Sequence, residues 1–222
     1  MASKLKRDQL PAQKATNWRN NLKEEEKLSL DLKLKTLILQ KDTYKILAGE
    51  NENRLRIYLG LEPEKKEGKY ELCAYAVSAF LLGSGDVYVD YETPVFKLEK
   101  KNTNVSDRIE TVIESIRMYR NWRNGELETE HPGAHYRQYI YPNAFLLTKY
   151  ELHELFNVQN SNELKIEFGI SKTMSPMISP IQAQPQDLST EKMIAHDEEA
   201  GGPFDYAETC PPNCDERSIF NP

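Results

Sequence analysis

Cys210 and Cys214 stand four apart near the end of the chain, with Pro211 and Pro212 between them. Two thiolates held that close suit Zn²⁺, which takes four ligands in structural sites. The other ligands would have to come from Cys73, His196 or an acidic residue, all distant in sequence. Zinc motifs usually display a full ligand set at short spacing. The same pair also fits a local disulfide, or a rigid turn packing two thiols. Zinc on Cys210 and Cys214 is therefore the leading metal candidate, set against an expectation of no cofactor.

His131-Pro132-Gly133-Ala134-His135 holds two imidazoles four apart. On a helix they would share a face, but Pro132 and Gly133 make this a loop, and no Glu follows the first His. Glu130 and His153 could join them in space. That grouping defines one alternative, an enzyme with its site between two halves of the chain. Gly83-Ser84-Gly85 is followed by β-rich sequence and not by a helix, so it reads as a hairpin turn and not a phosphate cradle. Gly-x-Ser-x-Gly, Walker A and dinucleotide-binding fingerprints are absent from the sequence. No catalytic residue is assigned.

The third candidate is a surface. From Arg54 to Leu61 the sequence alternates, with Leu55, Ile57 and Leu59 on one face of a strand and Arg54, Arg56 and Tyr58 on the other. Arg and Tyr are enriched among the residues that dominate protein interfaces. Arg54, Arg56 and Tyr58 are thus the predicted interaction residues. Trp18, Trp122, Tyr75, Tyr88, Tyr91, Tyr119, Tyr136, Tyr139 and Tyr141 read equally as core packing or as contact surface.

The elements that must position these groups follow from periodicity. Ala15, Trp18 and Leu22 repeat at helical spacing, and the chain turns extended near Leu34–Leu39. Asp42 to Leu47 predicts a short helix ended at Gly49. Tyr70 to Leu82 predicts a strand returning on Arg54–Leu61, with a further β piece at Val87–Tyr91. Ile109, Val112, Ile113 and Ile116 predict a helix that Gly125 ends. Tyr136 to Leu147 is β-rich, but Pro142 inside it predicts a broken or edge strand. Thr148–Phe156 predicts a short helix and Glu163–Ile170 a strand. Beyond Lys172, Pro176, Pro180 and Pro185 interrupt any period, and no return strand is predicted.

Asn17-Trp18-Arg19-Asn20 recurs as Asn121-Trp122-Arg123-Asn124, and Arg54–Leu61 recurs in character as Glu163–Ile170. Asp205–Pro211 echoes Asp90–Pro94. Self-similarity of this kind predicts a repeated unit. The predicted fold class is α+β, with two similar units, each of helices packed on a small antiparallel sheet. The division is a flexible N-terminus over 1–14, a first unit over 15–101, a second over 102–175, and a Pro-rich acidic extension over 176–222 packing on the second unit.

The Trp-bearing helix, the Arg56–Leu61 strand and the ending Cys210-Pro211-Pro212-Asn213-Cys214 resemble a group of small uncharacterised proteins of Bacteroidota bacteria. That resemblance implies a fold pattern and a cytoplasmic bacterial setting, and no reaction or ligand.

The chain has 222 residues, 39% hydrophobic and 29% charged, with net charge −6. Its last 42 residues hold nine acidic and two basic side chains. This balance argues against phosphate-backbone binding. No apolar run resembles a signal-peptide core or a membrane span. The odd count of three cysteines fits a reducing compartment. Glu24-Glu25-Glu26 and Asp197-Glu198-Glu199 read as solvated charge. The sequence thus predicts a cytoplasmic, non-enzymatic interaction or assembly protein, working through sheet surfaces, edges and tail. Its partner would be another protein or itself, with no nucleic acid and no membrane. A metal- or small-ligand-binding module on Cys210 and Cys214 is the other alternative.

Overall fold

The computed structural model describes residues 9–29, 36–63, 70–83, 87–99, 105–106, 108–126, 139–181, 202–205, 207–211 and 214–221. The fold is α+β, built of antiparallel strands and helices. Helix α1 (Ala12–Ser29) leads to β1 (Leu37–Gln40), α2 (Lys41–Ala48), β2 (Arg54–Pro63) and β3 (Tyr70–Leu81). Short strands β4 (Tyr88–Asp90), β5 (Phe96–Leu98) and β6 (Val105–Ser106) follow. Then come α3 (Ile109–Asn124), β7 (Ala144–Leu147), α4 (Lys149–His153), β8 (Glu163–Ile170), β9 (Met174–Pro180) and β10 (Ala207–Cys210). Helix α4 continues into a π-helical turn, Glu154–Val158.

The order helix, strand, short helix, strand, strand therefore occurs twice. The two stretches do not build separate sheets. Strand β1 pairs with β8, so that Leu39 faces Leu164. Strand β7 pairs with β2, so that Leu147 faces Leu55. Each stretch thus lends its short first strand to the long strand of the other. The hairpins β2–β3 and β8–β9 stay within their own stretches.

The two sheets, β1-β8-β9 and β10-β7-β2-β3-β5-β6, are joined at both ends. An antiparallel bridge links Ile38 to Glu99, and another links Ile178 to Phe204. Strand pairing consequently links β1, β8, β9 and Phe204 at one side, and β10, β7, β2, β3 and β5 back to β1 at the other. These links reduce the open edges that a small sheet exposes.

The largest apolar cluster gathers one face of these strands. Leu55, Ile57 and Leu59 of β2 meet Phe145, Leu147, Leu164, Ile166 and Phe168, with Tyr44, Leu47, Leu155 and Phe156 from the short helices. Helices α1 and α3 cover the opposite faces. Trp18 packs with Leu10, Ala15 and Met177 over the β8–β9 hairpin, and Val112 and Ile116 pack on Tyr58, Tyr75 and Val77 of β2–β3.

Close backbone approach sets both helix seats. A Cβ on Gly169 would lie 2.7 Å from the Trp18 Cβ, and one on Gly60 would lie 2.7 Å from the Ser115 Oγ. The buried stripe of α1 is Ala15, Trp18, Leu22 and Glu25; that of α3 is Val112, Ser115, Ile116, Tyr119 and Trp122. Trp18 therefore sits where α3 places Ser115, and Trp122 lies about two helical turns further along. The two tryptophans, aligned in sequence, do not hold matching places. Nor does Asp205–Pro211 answer Asp90–Pro94: Asp90 ends β4, which pairs with β3, while Ala207–Cys210 pairs with β7.

Other differences have plain causes. Strand β7 lies between β10 and β2 and is no edge, because Pro142 falls just before the ladder begins. Strand β9 exists despite its prolines. The Ile178 N–H donates to the Phe204 carbonyl, away from β8, so Pro176 and Pro180 lack their N–H on that same outer side. Helix α3 does end at Gly125, at φ 77° in the left-handed region that glycine tolerates. Helix α2 is capped at its C-terminus by Gly49, while Asp42 lies in its first turn.

Candidate functional site

The outer face of β2 bears Arg54, Arg56 and Tyr58, as alternation predicts, but that face is not a free surface. Arg56 is 1% exposed and Tyr58 is 0% exposed. The Arg56 guanidinium donates from Nη1 to the Asp90 carboxylate and from Nη2 to the Tyr88 carbonyl, the latter at 3.2 Å. The Tyr58 hydroxyl donates to the other Asp90 oxygen at 2.5 Å. Burial pushes the Asp90 carboxyl up; the Arg56 charge and hydrogen bonds from Tyr58 and Ser218 oppose that. Burial, with the Asp90 charge, also raises the Tyr58 phenol. Arg54 is partly exposed, paired with Glu208 at 2.9 Å and stacked 4.3 Å over the Tyr88 ring.

The cover is the chain's C-terminal segment. Asp215 accepts the Asp90 N–H at 2.9 Å. Ser218 lies 3.5 Å from the Tyr58 hydroxyl, and the Phe220 ring packs 5.6 Å from the Tyr58 ring. Arg120 of α3 holds the Phe220 carbonyl and the Asn221 side chain. The three residues predicted to meet a partner are therefore met chiefly by the chain itself. No short-range pattern reveals this, because the covering residues lie about 160 positions away.

Cys210 and Cys214 form a disulfide with Cα atoms 4.8 Å apart. Bonded sulfurs carry no thiolate for zinc. The odd cysteine count pointed to reduced thiols, yet only Cys73 is free. Cys73 belongs to a second buried polar group, with Tyr75, Glu62, Lys97 and Ser115. Tyr75 donates to Glu62 at 2.6 Å, and Ser115 donates to the Leu61 carbonyl at 2.8 Å. Burial pushes the Cys73 thiol up to about 11, so it is not poised as a nucleophile. Among the described residues no three His, Cys, Asp or Glu side chains gather to hold a metal ion.

Glu130, His131, His135, Tyr136 and His196 lie outside the described residues, as do Ser84, Gly85 and Asp197–Glu199. His153 is exposed on α4, 3.0 Å from the Asn157 amide. Glu25, expected in solvent, is buried and accepts the Tyr141 hydroxyl at 2.9 Å, which ties α1 to the segment before β7.

The chain matches no known protein family, no curated protein and no solved structure. Among the described residues no helix is long and apolar enough to cross a membrane.

Two carboxylates anchor the outer layers. Burial would raise Glu62, but hydrogen bonds from Lys97 and Tyr75 outweigh it and hold it low; Arg19 and Lys165 do the same for Glu167. A carboxylate with a lowered folded-state pKa adds stability that is complete above its unfolded value, 4.5 here, and vanishes as pH falls through the lower folded value. The stability these two carboxylates supply should therefore decline below about pH 4.5. Glu62→Gln combined with Glu167→Gln should flatten that acid limb in urea titrations, at about 1 kcal/mol for each site at neutral pH. An unchanged acid limb would exclude these two groups as its source.

Proposed function

We propose that this chain is a non-enzymatic assembly protein, built on two interlocked copies of one ancestral unit and associating with a second copy of itself. The observation that carries this reading is the end of the β3–β4 hairpin. Leu82, Val87 and Tyr91 are 53%, 57% and 44% exposed on one face of that hairpin, while Leu81, 48% exposed, lies on the other. The Leu82 N–H donates to the Val87 carbonyl, and the Phe80 and Tyr91 rings pack at a 40° tilt with centroids 4.7 Å apart. Single exposed apolar residues are ordinary, but several on one face of one hairpin support a contact site.

The polar constellations support the same reading by elimination of roles. Arg56, Asp90 and Tyr58 engage one another, and Glu62, Tyr75 and Cys73 engage one another in a second group. None combines an accessible cleft with a group tuned for proton transfer or attack. Apolar side chains on one hairpin face suit the self-complementary contact of a two-fold dimer. Two chains of charge −6 repel, so pairing should tighten as salt screens them.

Light scattering on size-exclusion fractions tests this. The intact protein should run as a dimer at tens of micromolar, more completely at high salt, and Leu82→Lys with Val87→Lys should convert it to a folded monomer. A monomer for the intact chain at every salt concentration would overturn the assembly reading.

A further inference from the structure

We propose that the Cys210–Cys214 disulfide is a redox-sensitive clasp that holds the C-terminal segment over the outer edge of β4. The inference does not depend on the assembly reading. In the β3–β4 ladder the Leu82 N–H meets the Val87 carbonyl and the Tyr91 N–H meets the Ser78 carbonyl. Antiparallel geometry then turns the backbone groups of Tyr88 and Asp90 outward. The Asp90 N–H is satisfied by Asp215 of the C-terminal segment, and the Tyr88 carbonyl accepts from the Arg56 side chain of β2. Asp215 thus caps a strand edge that would otherwise be open to pairing.

The clasp joins the residue at the end of β10 to the residue just before Asp215. Cys210 is buried in the same cluster as Tyr58 and Phe220, while Cys214 is half-buried beside it. With the bond closed, Asp215, Ser218 and Phe220 are delivered to Asp90 and Tyr58 from a fixed point. With the bond open, the same segment is tethered only through the chain between the cysteines. Its seating then rests on the Asp215, Ser218 and Arg120 contacts and on Phe220 packing.

The chemistry needs a dithiol reductant. One of its thiolates attacks the Cys214 sulfur, forming a mixed disulfide and expelling the Cys210 thiolate, which takes up a proton. The second thiol of the reductant, losing its proton, then displaces Cys214, leaving two protein thiols and one oxidised reductant. Two electrons and two protons are transferred in all. The half-buried Cys214 is the accessible point of attack. Closing a loop of five residues restricts the loosened segment by a factor of roughly 30, so reduction should raise its opening by tens of fold.

The test compares the oxidised protein with protein reduced by dithiothreitol. Under native conditions, alkylation followed by mass measurement should first find the bond: Cys73 is the sole free thiol before reduction, and it is buried. Amide exchange is then read at Asp90, Phe220 and Asn221, together with tryptic cleavage after Arg217. Reduction should speed all of these at least tenfold and leave the β2–β3 ladder unchanged. Cys210→Ser with Cys214→Ser should reproduce the reduced pattern; if that variant does not fold, the reduced wild-type protein carries the test alone. Equal exchange and cleavage in the two states would overturn the proposal, as would three alkylatable thiols in the unreduced protein after denaturation.

Discussion

Arg56→Ala is expected to cost about 3–5 kcal/mol of folding stability, the largest effect of any single truncation outside the apolar core. The reason lies in what the substitution leaves behind. Arg56 and Asp90 are each about 1% exposed at the side chain, and their mutual charge is what makes either tolerable at that depth. Without the guanidinium, the Asp90 carboxylate keeps the Tyr58 hydroxyl but loses the cation paired with it. The Tyr88 carbonyl loses a donor as well. The double replacement Arg56→Met with Asp90→Leu should recover most of the loss, since no charge then remains buried. Urea denaturation of the three variants checks this. A single Arg56→Ala loss under 1 kcal/mol would mean that water reaches the pair and that the C-terminal cover is not seated as described.

Gly169→Ala should cost about 1–3 kcal/mol, near the upper end of that range. The added methyl would meet the Trp18 Cβ at 2.7 Å, the Met177 Cε at 3.0 Å and the Trp18 backbone carbon at 3.2 Å. Met177 can swing away, but Trp18 is fixed in α1, which is held to β8 by Arg19 on Glu167 at 2.9 Å and by the Asn21 amide on the Ile170 carbonyl at 2.9 Å. Helix α1 must therefore lift. Gly60→Ala should cost a comparable amount, because the added methyl would meet the Ser115 hydroxyl at 2.7 Å, which would lose the Leu61 carbonyl, and the buried Tyr75 ring at 2.8 Å. Neither glycine requires an unusual φ, so any loss reports close packing alone. Thermal unfolding of both variants checks this; equal stability of Gly169→Ala and the parent would mean that α1 does not rest on β8.

What the sequence disclosed is what local rules control. The alternation of Arg54–Leu61, the return strand after it and the helix ended by Gly125 are all written in neighbouring residues, and the structure has them. Strand β9 was hidden because Pro176 and Pro180 break the apolar pattern while keeping their missing N–H off the β8 ladder. The outward face of β2 was placed on the correct side, but nothing near Arg56 or Tyr58 signals that another layer lies over them. That layer comes from residues 214–221, and long-range cover leaves no periodic trace. Glu25 looked like one of three solvated acids, since its partner Tyr141 is likewise remote.

The Trp-centred repeat shows the same limit. Matching tetrapeptides aligned Trp18 with Trp122, whereas burial aligns Trp18 with Ser115 and Leu22 with Tyr119. Short identities around a tryptophan are a poor guide to helix register when each helix is seated by a glycine on a different strand. The exchange of β1 and β7 between the two stretches was also illegible, because a four-residue apolar strand carries no label for its partner.

The account rests on that exchange, and native-state amide exchange across the β1–β8 and β7–β2 ladders tests it most directly. Interlocked strands cannot open by halves, so both ladders should exchange at one common free energy, equal to that of global unfolding. Protection of one ladder persisting after the other has opened would show two independently folded halves and contradict the account.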